Sequence, residues 1–326
     1  MTTRGMLLGK FMPPHRGHQF LVDFARHYVD ELIVVVGSLP DEPIPGQLRH
    51  QWMTAMFPQC KVVHLEKVLP QDPSQHPQFW ELWRESLLPL LDQGVDYVFA
   101  SEAYGQRLAQ ELSARYIPVD PGRMAVPISA SQIRSNPRDH WHQLPQLVRP
   151  YFQRRICVFG PESTGKTTLC RDLAEHYGSL AVPEYARAYL EAQDCKLEEA
   201  DLVAIARGQW ATEQALAPSA GFFLFLDTDI LLTTVWSQFL YGRVDPRVQG
   251  LAQASLSALY VLTDVDVPWE ADPIRYLPEE RKSFQKCCQE TLIAAGCKYV
   301  AVSGTRQERV AQVITAIEAP SDSTQS

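Results

Sequence analysis

Two histidines near the start of the chain stand three residues apart in a stretch rich in glycine and proline. His15 and His18 lie in the segment 9–18, which follows the apolar run Met6–Leu8. The pattern predicts a strand, a tight loop and a helix start, with His15 in the loop and His18 on the first helical turn. Free backbone N–H groups and the positive end of a helix dipole favour binding of a phosphate chain at such a place.

The residue types around these histidines suit chemistry at a phosphoryl centre. Imidazoles donate hydrogen bonds to a phosphoryl group whose charge grows in the transition state, and Lys10 and Arg134 add full positive charge. Arg134 closes an I-S-x-S-x-x-R pattern in which Ser129 or Ser131 is expected to cap a helix. No side chain here resembles an activated covalent nucleophile. A substrate phosphate is therefore predicted to attack directly, with positioning and charge neutralisation providing most of the catalysis.

A second phosphate-binding pattern lies near the middle of the chain. Residues 160–167 match G-x-x-x-x-G-K-[ST] between a predicted strand and a predicted helix. In such a loop Lys166 neutralises the β- and γ-phosphates and Thr167 binds Mg²⁺. Asp227 ends an apolar strand, where a carboxylate holds Mg²⁺ directly or through water. The loop residues expected to bind ATP are Gly160, Glu162, Ser163, Thr164, Gly165, Lys166, Thr167 and Thr168.

A kinase that acts on a sugar hydroxyl needs a carboxylate to take the hydroxyl proton. Glu184, at the end of a predicted strand, is the first choice for this base and Asp229 the second. Arg275 and Arg281 lie in the charged segment 269–282, which we interpret as a lid that closes over ATP. The alternatives are a solvated carboxylate at a strand end and an ordinary basic surface loop.

Composition limits the classes of protein that fit. The chain has 326 residues, 45% hydrophobic and 21% charged, which suits two soluble globular domains. A formal charge of -8 argues against broad nucleic-acid binding. We expect no membrane insertion and no signal peptide, because the sequence has no apolar run of the length that either requires. The seven cysteines form no C-x-x-C pair, which indicates reduced thiols of a cytoplasmic protein and argues against a zinc site.

Strand-like and helix-like segments alternate through both halves, which predicts an α/β fold with two parallel sheets. We expect a closing helix over 137–150, a domain boundary there, domains at 1–150 and 151–318, and a disordered tail at 319–326. The predicted strands are Met6–Leu8, Glu31–Gly37, Cys60–Glu66, Tyr97–Ala100, Arg115–Val119, Arg155–Phe159, Leu180–Val182, Phe222–Leu226, Leu259–Leu262 and Tyr299–Val302.

The first motif resembles that of the HxGH nucleotidyltransferases, and its G-K-F start is most similar to nicotinamide mononucleotide (NMN) adenylyltransferases. The resemblance implies a Rossmann-like sheet in which His15 and His18 bind the ATP phosphates and stabilise the α-phosphate transition state. It also implies that Arg134 holds the β- and γ-phosphates. The implied ATP-binding residues are Gly9, Lys10, Phe11, His15, His18, Ser129, Ser131 and Arg134.

A nicotinamide ring favours an aromatic platform. Trp80 and Trp83, three residues apart on a predicted helix, are the candidates, with Trp52 behind them; core packing is an equally open interpretation for each. Arg49, which opens its predicted helix, is the candidate for the NMN phosphate. Weaker candidates for the same pocket are Asp120, Arg123, Ser101 and Glu102.

The second half resembles P-loop nucleoside kinases, and the order of the two modules resembles the NadR family of bifunctional NMN adenylyltransferases and ribosylnicotinamide kinases. The matching segments are Glu184-Tyr185-x-Arg187, Asp227-Thr228-Asp229 and Trp269-x-x-Asp272-x-x-Arg275. Pro273 stands where the pattern has glycine. The resemblance implies riboside binding by Glu184, Tyr185, Arg187 and Asp229. Enterobacterial members carry a helix-turn-helix domain before the first motif; only eight residues precede Gly9 here, so we do not expect their repressor function.

These observations predict a salvage enzyme for NAD. The second domain is expected to phosphorylate nicotinamide riboside with ATP, and the first to join the resulting NMN to AMP from another ATP, releasing pyrophosphate. The expected partners are ATP with Mg²⁺, NMN, nicotinamide riboside and NAD, with homo-oligomers possible. One alternative is a phosphopantetheine adenylyltransferase joined to a dephospho-CoA kinase. The other is a non-catalytic sensor of NAD and ATP.

Overall fold

The computed structural model describes residues 2–272, 274–275 and 277–319. Pro273 and residues 320–326, which hold most of the tail predicted to be disordered, lie outside the described residues. The chain divides into two compact units, Met1–Arg149 and Pro150–Ser326. Both units are α/β.

The first unit is built on a five-stranded parallel sheet with the strand order β3-β2-β1-β4-β5. From β1 the chain adds β2 and β3 on one side of that strand, and then β4 and β5 on the other side. The order therefore reverses at β1, and ligands of such sheets bind beyond the carboxyl ends of the strands at this point. The strands are β1 (Arg4–Gly9), β2 (Glu31–Ser38), β3 (Lys61–Glu66), β4 (Tyr97–Ala100) and β5 (Arg115–Pro118).

Helices pack apolar faces against the first sheet. In the first helix, Val22 and Ala25 are fully buried and pack in a cluster with Leu7 and Val34 of the sheet. The α-helices of this part of the chain are α1 (Arg16–Tyr28), α2 (Gly46–Met56), α3 (Phe79–Leu87), α4 (Tyr104–Glu111), α5 (Ala130–Ser135) and α6 (Arg149–Phe152).

The prediction of a closing helix over 137–150 is wrong. The chain forms turns there, with one 3-10 turn at Trp141–Gln143 and the short α6. Pro137, Pro145 and Pro150 explain the difference, because each lacks a backbone N–H and disfavours helical backbone in the residue before it.

The second unit has its own five-stranded parallel sheet in the order β10-β9-β6-β8-β7. Its first strand lies at the centre, so the loop after it opens at the middle of the sheet edge. The strands are β6 (Arg154–Phe159), β7 (Ala181–Val182), β8 (Phe223–Asp227), β9 (Leu259–Thr263) and β10 (Tyr299–Val302). The helices are α7 (Lys166–His176), α8 (Tyr185–Ala192), α9 (Asp201–Leu216), α10 (Ile230–Tyr241), α11 (Pro246–Ala254), α12 (Arg281–Ala294) and α13 (Arg306–Glu318).

The predicted α/β class with two parallel sheets is confirmed, and each predicted strand corresponds to an observed one. The segment interpreted as a lid differs at its end. Its described residues before Arg281 form no helix or strand, whereas Arg281 and Lys282 begin α12. No helix in the described part of the chain combines the length and apolarity that crossing a bilayer requires.

Candidate active sites

The first candidate site is a cavity of about 720 Å³ at the carboxyl edge of the first sheet. The loop between β1 and α1 forms one wall, at the point where the strand order reverses. The cavity brings together most of the residues predicted for this site: Gly9, Lys10, Phe11, His15, His18, Trp80, Trp83, Ser101, Glu102, Asp120, Arg123, Ser129, Ser131 and Arg134.

His15 is the N-cap of α1 as well as a wall of the cavity. Its Nδ1 accepts a hydrogen bond from the backbone N–H of Gly17 at 3.1 Å. In the neutral ring the proton is therefore on Nε2, which leaves that atom as a donor. Gly17 has no room for a side chain, because a Cβ there would lie 2.9 Å from Cε1 of His15.

His18 lies against His15, with 3.8 Å between their ring centroids, and Phe11 packs edge-on against it at 4.9 Å. Burial, and then the positive charge of Arg123, lower the pKa of His15 to about 4. Burial, followed by the charges of His15 and Arg123, lowers the pKa of His18 well below its usual value. Both rings are therefore neutral at pH 7. Nδ1 of His18 is buried and has no partner among the described residues.

Arg134 is held at the same wall by one contact with the loop after β1 and one with its own helix. Its guanidinium donates to the Met12 carbonyl and, at 3.2 Å, to Oγ of Ser131. Ser129, the N-cap of α5, exchanges hydrogen bonds with Gln132 in a capping box. The structure thus resolves the alternatives left by the sequence: Ser129 caps the helix, and Ser131 contacts the arginine.

Glu42 is a cavity residue that sequence reasoning missed. Its buried carboxylate bridges the ammonium group of Lys10, at 2.8 Å, and the guanidinium of Arg49. Arg49 has no exposed surface and also donates to the carbonyls of Lys10, Gly37 and Ile44. The guanidinium therefore joins two loops beneath the cavity and is not among the residues that line it. No local sequence pattern distinguishes Glu42 from a glutamate in a surface turn.

Trp80 and Trp83 project from α3 into the same cavity. The indole N–H of Trp83 donates to the Pro70 carbonyl at 2.9 Å, and the guanidinium of Arg107 lies 5.9 Å from the ring centre of Trp80. Both rings also pack against a buried cluster of the first unit. Trp52 is buried and is not among the lining residues. Two indoles are thus placed to contact a planar ligand, and the third is core.

The weaker candidates lie at the cavity as well. Arg123 and Glu102 form an ion pair at 3.6 Å. The carboxylate of Asp120 accepts from the backbone N–H of Met124 at 2.7 Å, which closes the turn that carries Arg123.

The second candidate site is a cavity of about 420 Å³ at the edge of the second sheet. The loop 160–167 joins central β6 to α7 there. Nζ of Lys166 donates to the Pro161 carbonyl at 2.7 Å, and the buried hydroxyl of Thr164 is 2.7 Å from that of Thr263. The predicted ATP-binding residues that line this cavity are Glu162, Ser163, Thr164, Gly165, Lys166, Thr167, Thr168 and Arg275; Gly160 and Arg281 do not.

Two carboxylates face Lys166. Burial raises the pKa of Glu184 to about 7, against the attraction of Lys166. Burial also raises the pKa of Asp227, opposed by Lys166 and by a hydrogen bond from Thr167. Oδ1 of Asp227 is buried without a partner among the described residues. A free carboxylate oxygen beside a threonine hydroxyl is a donor set that Mg²⁺ prefers, so these residues fit the ion.

The carboxylate of Asp229 forms hydrogen bonds with neighbouring protein groups. It caps α10 by accepting from the backbone N–H of Leu231 at 3.0 Å, and it accepts from the hydroxyl of Tyr260 at 2.7 Å. Its carboxylate is buried, although the residue contributes to the cavity wall. These bonds engage both oxygens of the Asp229 carboxylate.

The segment 269–282 is tied to both walls of this cavity. Arg187 and Asp272 form an ion pair at 3.0 Å, and the backbone N–H of Glu270 donates to Oγ of Ser163 at 2.8 Å. Arg281 donates to the carbonyl of Ser163 at 3.1 Å. Arg275 therefore lines the cavity, whereas Arg281 does not line it and contacts the loop 160–167.

Two further polar residues of the cavity wall were not predicted. Gln209 and Arg309 are both buried. Arg309 donates to the carbonyls of Thr164, at 2.6 Å, and Gly304, at 3.1 Å, and thereby joins the phosphate-binding loop to the loop after β10. A buried arginine on a helix is indistinguishable from a surface arginine in sequence, because only tertiary packing buries it.

Several known proteins are similar to this chain in sequence. A family model described as an AAA domain matches residues 155–309. The trifunctional NAD biosynthesis/regulator protein NadR of Escherichia coli (strain K12) is 30% identical over 324 residues, covering 92% of this chain and 78% of that protein. The protein of the same name from Salmonella typhimurium is 29% identical over 321 residues, covering 91% of this chain and 78% of that protein.

Two solved structures share the fold over the whole chain. One is a NadR protein in complex with NAD and AMP-PNP, with a TM-score of 0.79, 24% identity and coverage of 100% of this chain and 99% of that one. The other is a NadR protein in complex with NR, with a TM-score of 0.80, 23% identity and coverage of 100% and 98%.

Proposed function

The chain belongs to the NadR family of NAD biosynthesis proteins, and we propose that it converts nicotinamide riboside to NAD in two ATP-dependent steps. The second unit phosphorylates the riboside to NMN, and the first unit adenylylates NMN. The observation that carries the proposal is the presence of two phosphate-binding loops, each at the edge of its own parallel sheet and each facing its own cavity. The product of one reaction is the acceptor in the other.

In the kinase step, an oxygen of the riboside hydroxyl forms a bond to the γ-phosphorus of ATP as the bond to the β–γ bridging oxygen breaks. ADP leaves, and Glu184 takes the hydroxyl proton. With a pKa near 7, this carboxyl is suited to accept a proton close to neutral pH. Lys166 and the backbone N–H groups of the loop neutralise the transferring phosphate, and Arg275 approaches it from the lid.

Magnesium is expected with ATP in this step. Thr167 and Asp227 would hold it, because the carboxylate has an unpartnered oxygen beside the threonine side chain. When bound, the ion supplies charge neutralisation at the phosphate oxygens.

In the adenylyl transfer, a phosphate oxygen of NMN forms a bond to the α-phosphorus of ATP and the bond to the β-phosphate oxygen breaks, releasing pyrophosphate. The attacking group is already an anion, so no general base is required. His15 donates from Nε2 to the charged oxygens, and His18 lies beside it with an imidazole that is likewise neutral. Arg134 and Lys10 neutralise the phosphates that leave, and Lys10 exchanges its contact with Glu42 for the ligand.

The nicotinamide ring is expected to bind where Trp80 and Trp83 line the first cavity. Trp80 and Trp83 offer faces on which a pyridinium ring stacks. Because Arg49 is buried beneath the cavity and does not line it, we do not assign the NMN phosphate to this residue.

The test is incubation of the purified chain with nicotinamide riboside and Mg-ATP, following NMN and NAD over time. NMN should appear first and NAD after it. Parallel reactions with phosphopantetheine and with dephospho-CoA address the alternative pairing. Turnover of these substrates without formation of NAD would overturn the proposal.

A further inference from the structure

The side chain of Gln209 lies buried between two strand ends that shape the second cavity. It projects from α9 and is 3% exposed. Its Oε1 accepts from the backbone N–H of Tyr185 at 2.9 Å, and its Nε2 donates to the carbonyl of Thr228 at 3.4 Å. One amide thus connects the segment after β7 with the segment after β8.

The segment after β7 contains the proposed base and the first residue of α8. Tyr185 directly follows Glu184, and its N–H is one of the donors that a helix start leaves without an intrahelical partner. Gln209 satisfies this donor. Because the bond is to the adjacent backbone, it sets the position from which the Glu184 side chain reaches into the cavity.

The segment after β8 needs external support. Thr228 has a φ of 70°, in the left-handed region that non-glycine residues rarely adopt. Such backbone persists only when surrounding contacts hold it. Its N–H donates to the carbonyl of Val158 at 3.2 Å, and its carbonyl accepts from Gln209.

Gly208 precedes Gln209 on α9, and the ring of Tyr185 packs directly against it. A Cβ at Gly208 would lie 2.0 Å from Cε1 of Tyr185, so only glycine allows the ring to take this place. A glycine inside a helix carries an intrinsic cost relative to alanine. Two successive residues of α9 therefore contact Tyr185. Gly208 lies against its ring, and Gln209 bonds its backbone N–H.

We propose that Gly208 and Gln209 are positioning residues for riboside phosphorylation, which fix Glu184 and Tyr185 relative to Thr228 and Asp229. The inference rests on the proposed kinase function of this unit. Neither residue takes part in bond making. They act by holding the backbone that carries Glu184 and Tyr185, whereas Arg309 contacts the loop that binds ATP.

The experiment measures kcat and KM for nicotinamide riboside and for ATP in the wild-type chain and in Gln209→Ala, Gln209→Glu and Gly208→Ala. Gln214→Ala is the matched control, since Gln214 lies on the same helix and is exposed. NMN adenylylation by the same preparations reports on the other unit. Circular dichroism and thermal unfolding report on folding.

Gln209→Ala should lower kcat/KM for the riboside at least tenfold and change KM for ATP by less than twofold. Gln209→Glu keeps the acceptor for Tyr185 but loses the donor to Thr228, so it should show a loss in the same direction. Gly208→Ala should lower riboside kcat/KM, because the added Cβ would lie 2.0 Å from Cε1 of Tyr185 and would displace that ring. Gln214→Ala should match the wild type.

A riboside KM and kcat within twofold of wild type in both Gln209→Ala and Gly208→Ala would overturn the inference. An equal loss in both substrates, matched by a smaller folded fraction, would also overturn it, because it would indicate a purely structural role. Failure of the wild-type chain to phosphorylate the riboside is a separate outcome, which removes the proposed function and this inference together.

Discussion

The imidazole rings of His15 and His18 lie 3.8 Å apart between centroids, at an angle of 31°. Two protonated imidazoles so close together would repel each other, and burial already disfavours their charge. Both rings are therefore neutral in this site, and a neutral imidazole can still donate one hydrogen bond to a phosphate oxygen. This relationship links the chemistry of the site to the pH dependence of the first unit.

Replacing His18 by alanine should lower NMN adenylylation by about 10²–10³-fold, the usual effect of removing one donor to a developing oxyanion. Riboside phosphorylation by the same preparation should be unchanged. Steady-state assays of both activities check this. Unaltered NAD formation would contradict the role proposed for His18. A wild-type chain that binds NAD and ATP but forms no NAD would favour the sensor interpretation.

The stability of the first unit should fall as the pH is lowered from about 6.5 to about 4. Burial lowers the pKa of both histidines below the unfolded value of 6.5, to about 4 for His15. In this window the unfolded chain binds more protons than the folded one, so the free energy of unfolding decreases with falling pH. Urea unfolding at several pH values measures the slope. Substitution of both histidines by glutamine should flatten it, and an unchanged slope would contradict the assignment.

Lys166→Ala should abolish riboside phosphorylation and leave NMN adenylylation within twofold of wild type. The lysine neutralises the transferring phosphate in the second cavity and is not part of the first. Separate assays with riboside and with NMN check the result. Loss of both activities in a folded variant would show that the sites are not independent.

Riboside phosphorylation should increase with pH through about 7, because the proposed base Glu184 must lose its proton before it accepts another. Glu184→Gln should remove most of the activity. The rising limb near pH 7 in the plot of kcat/KM against pH should disappear with it. Asp229→Asn should keep the limb, since that side chain is engaged by Leu231 and Tyr260. A profile that loses its limb only in Asp229→Asn would transfer the role of the base to Asp229.

Arg49→Met should destabilise the first unit by about 3–5 kcal/mol, because it removes one of the two cations that pair with the buried carboxylate of Glu42. Urea unfolding measures this loss. The double variant with Glu42→Gln should recover part of it. If Arg49 were instead a ligand of the NMN phosphate, the single variant would keep its stability and show a raised KM for NMN.

Local patterns in the sequence identified the elements that carry the site. Apolar runs such as Glu31–Gly37 predict buried parallel strands without tertiary information, because both faces of such a strand are covered. The glycines, prolines and histidines of segment 9–18, and the lysine and threonine of segment 160–167, reveal phosphate-binding loops because their spacing is set within one loop. The closing helix expected over 137–150 shows the limit of this reasoning where prolines interrupt helical periodicity.

The sequence by itself determined the α/β class with parallel sheets, because the alternation of strand-like and helix-like segments is a local pattern. It also determined the two phosphate-binding loops, because the residues of each motif lie close together in the chain. Only the tertiary structure decided which charged and polar side chains are buried. Arg49 lies beneath its cavity, Glu42 faces Lys10, and Gln209 joins two strand ends. These partners are distant in sequence and meet only when the sheets form, and their burial then determines their hydrogen bonds.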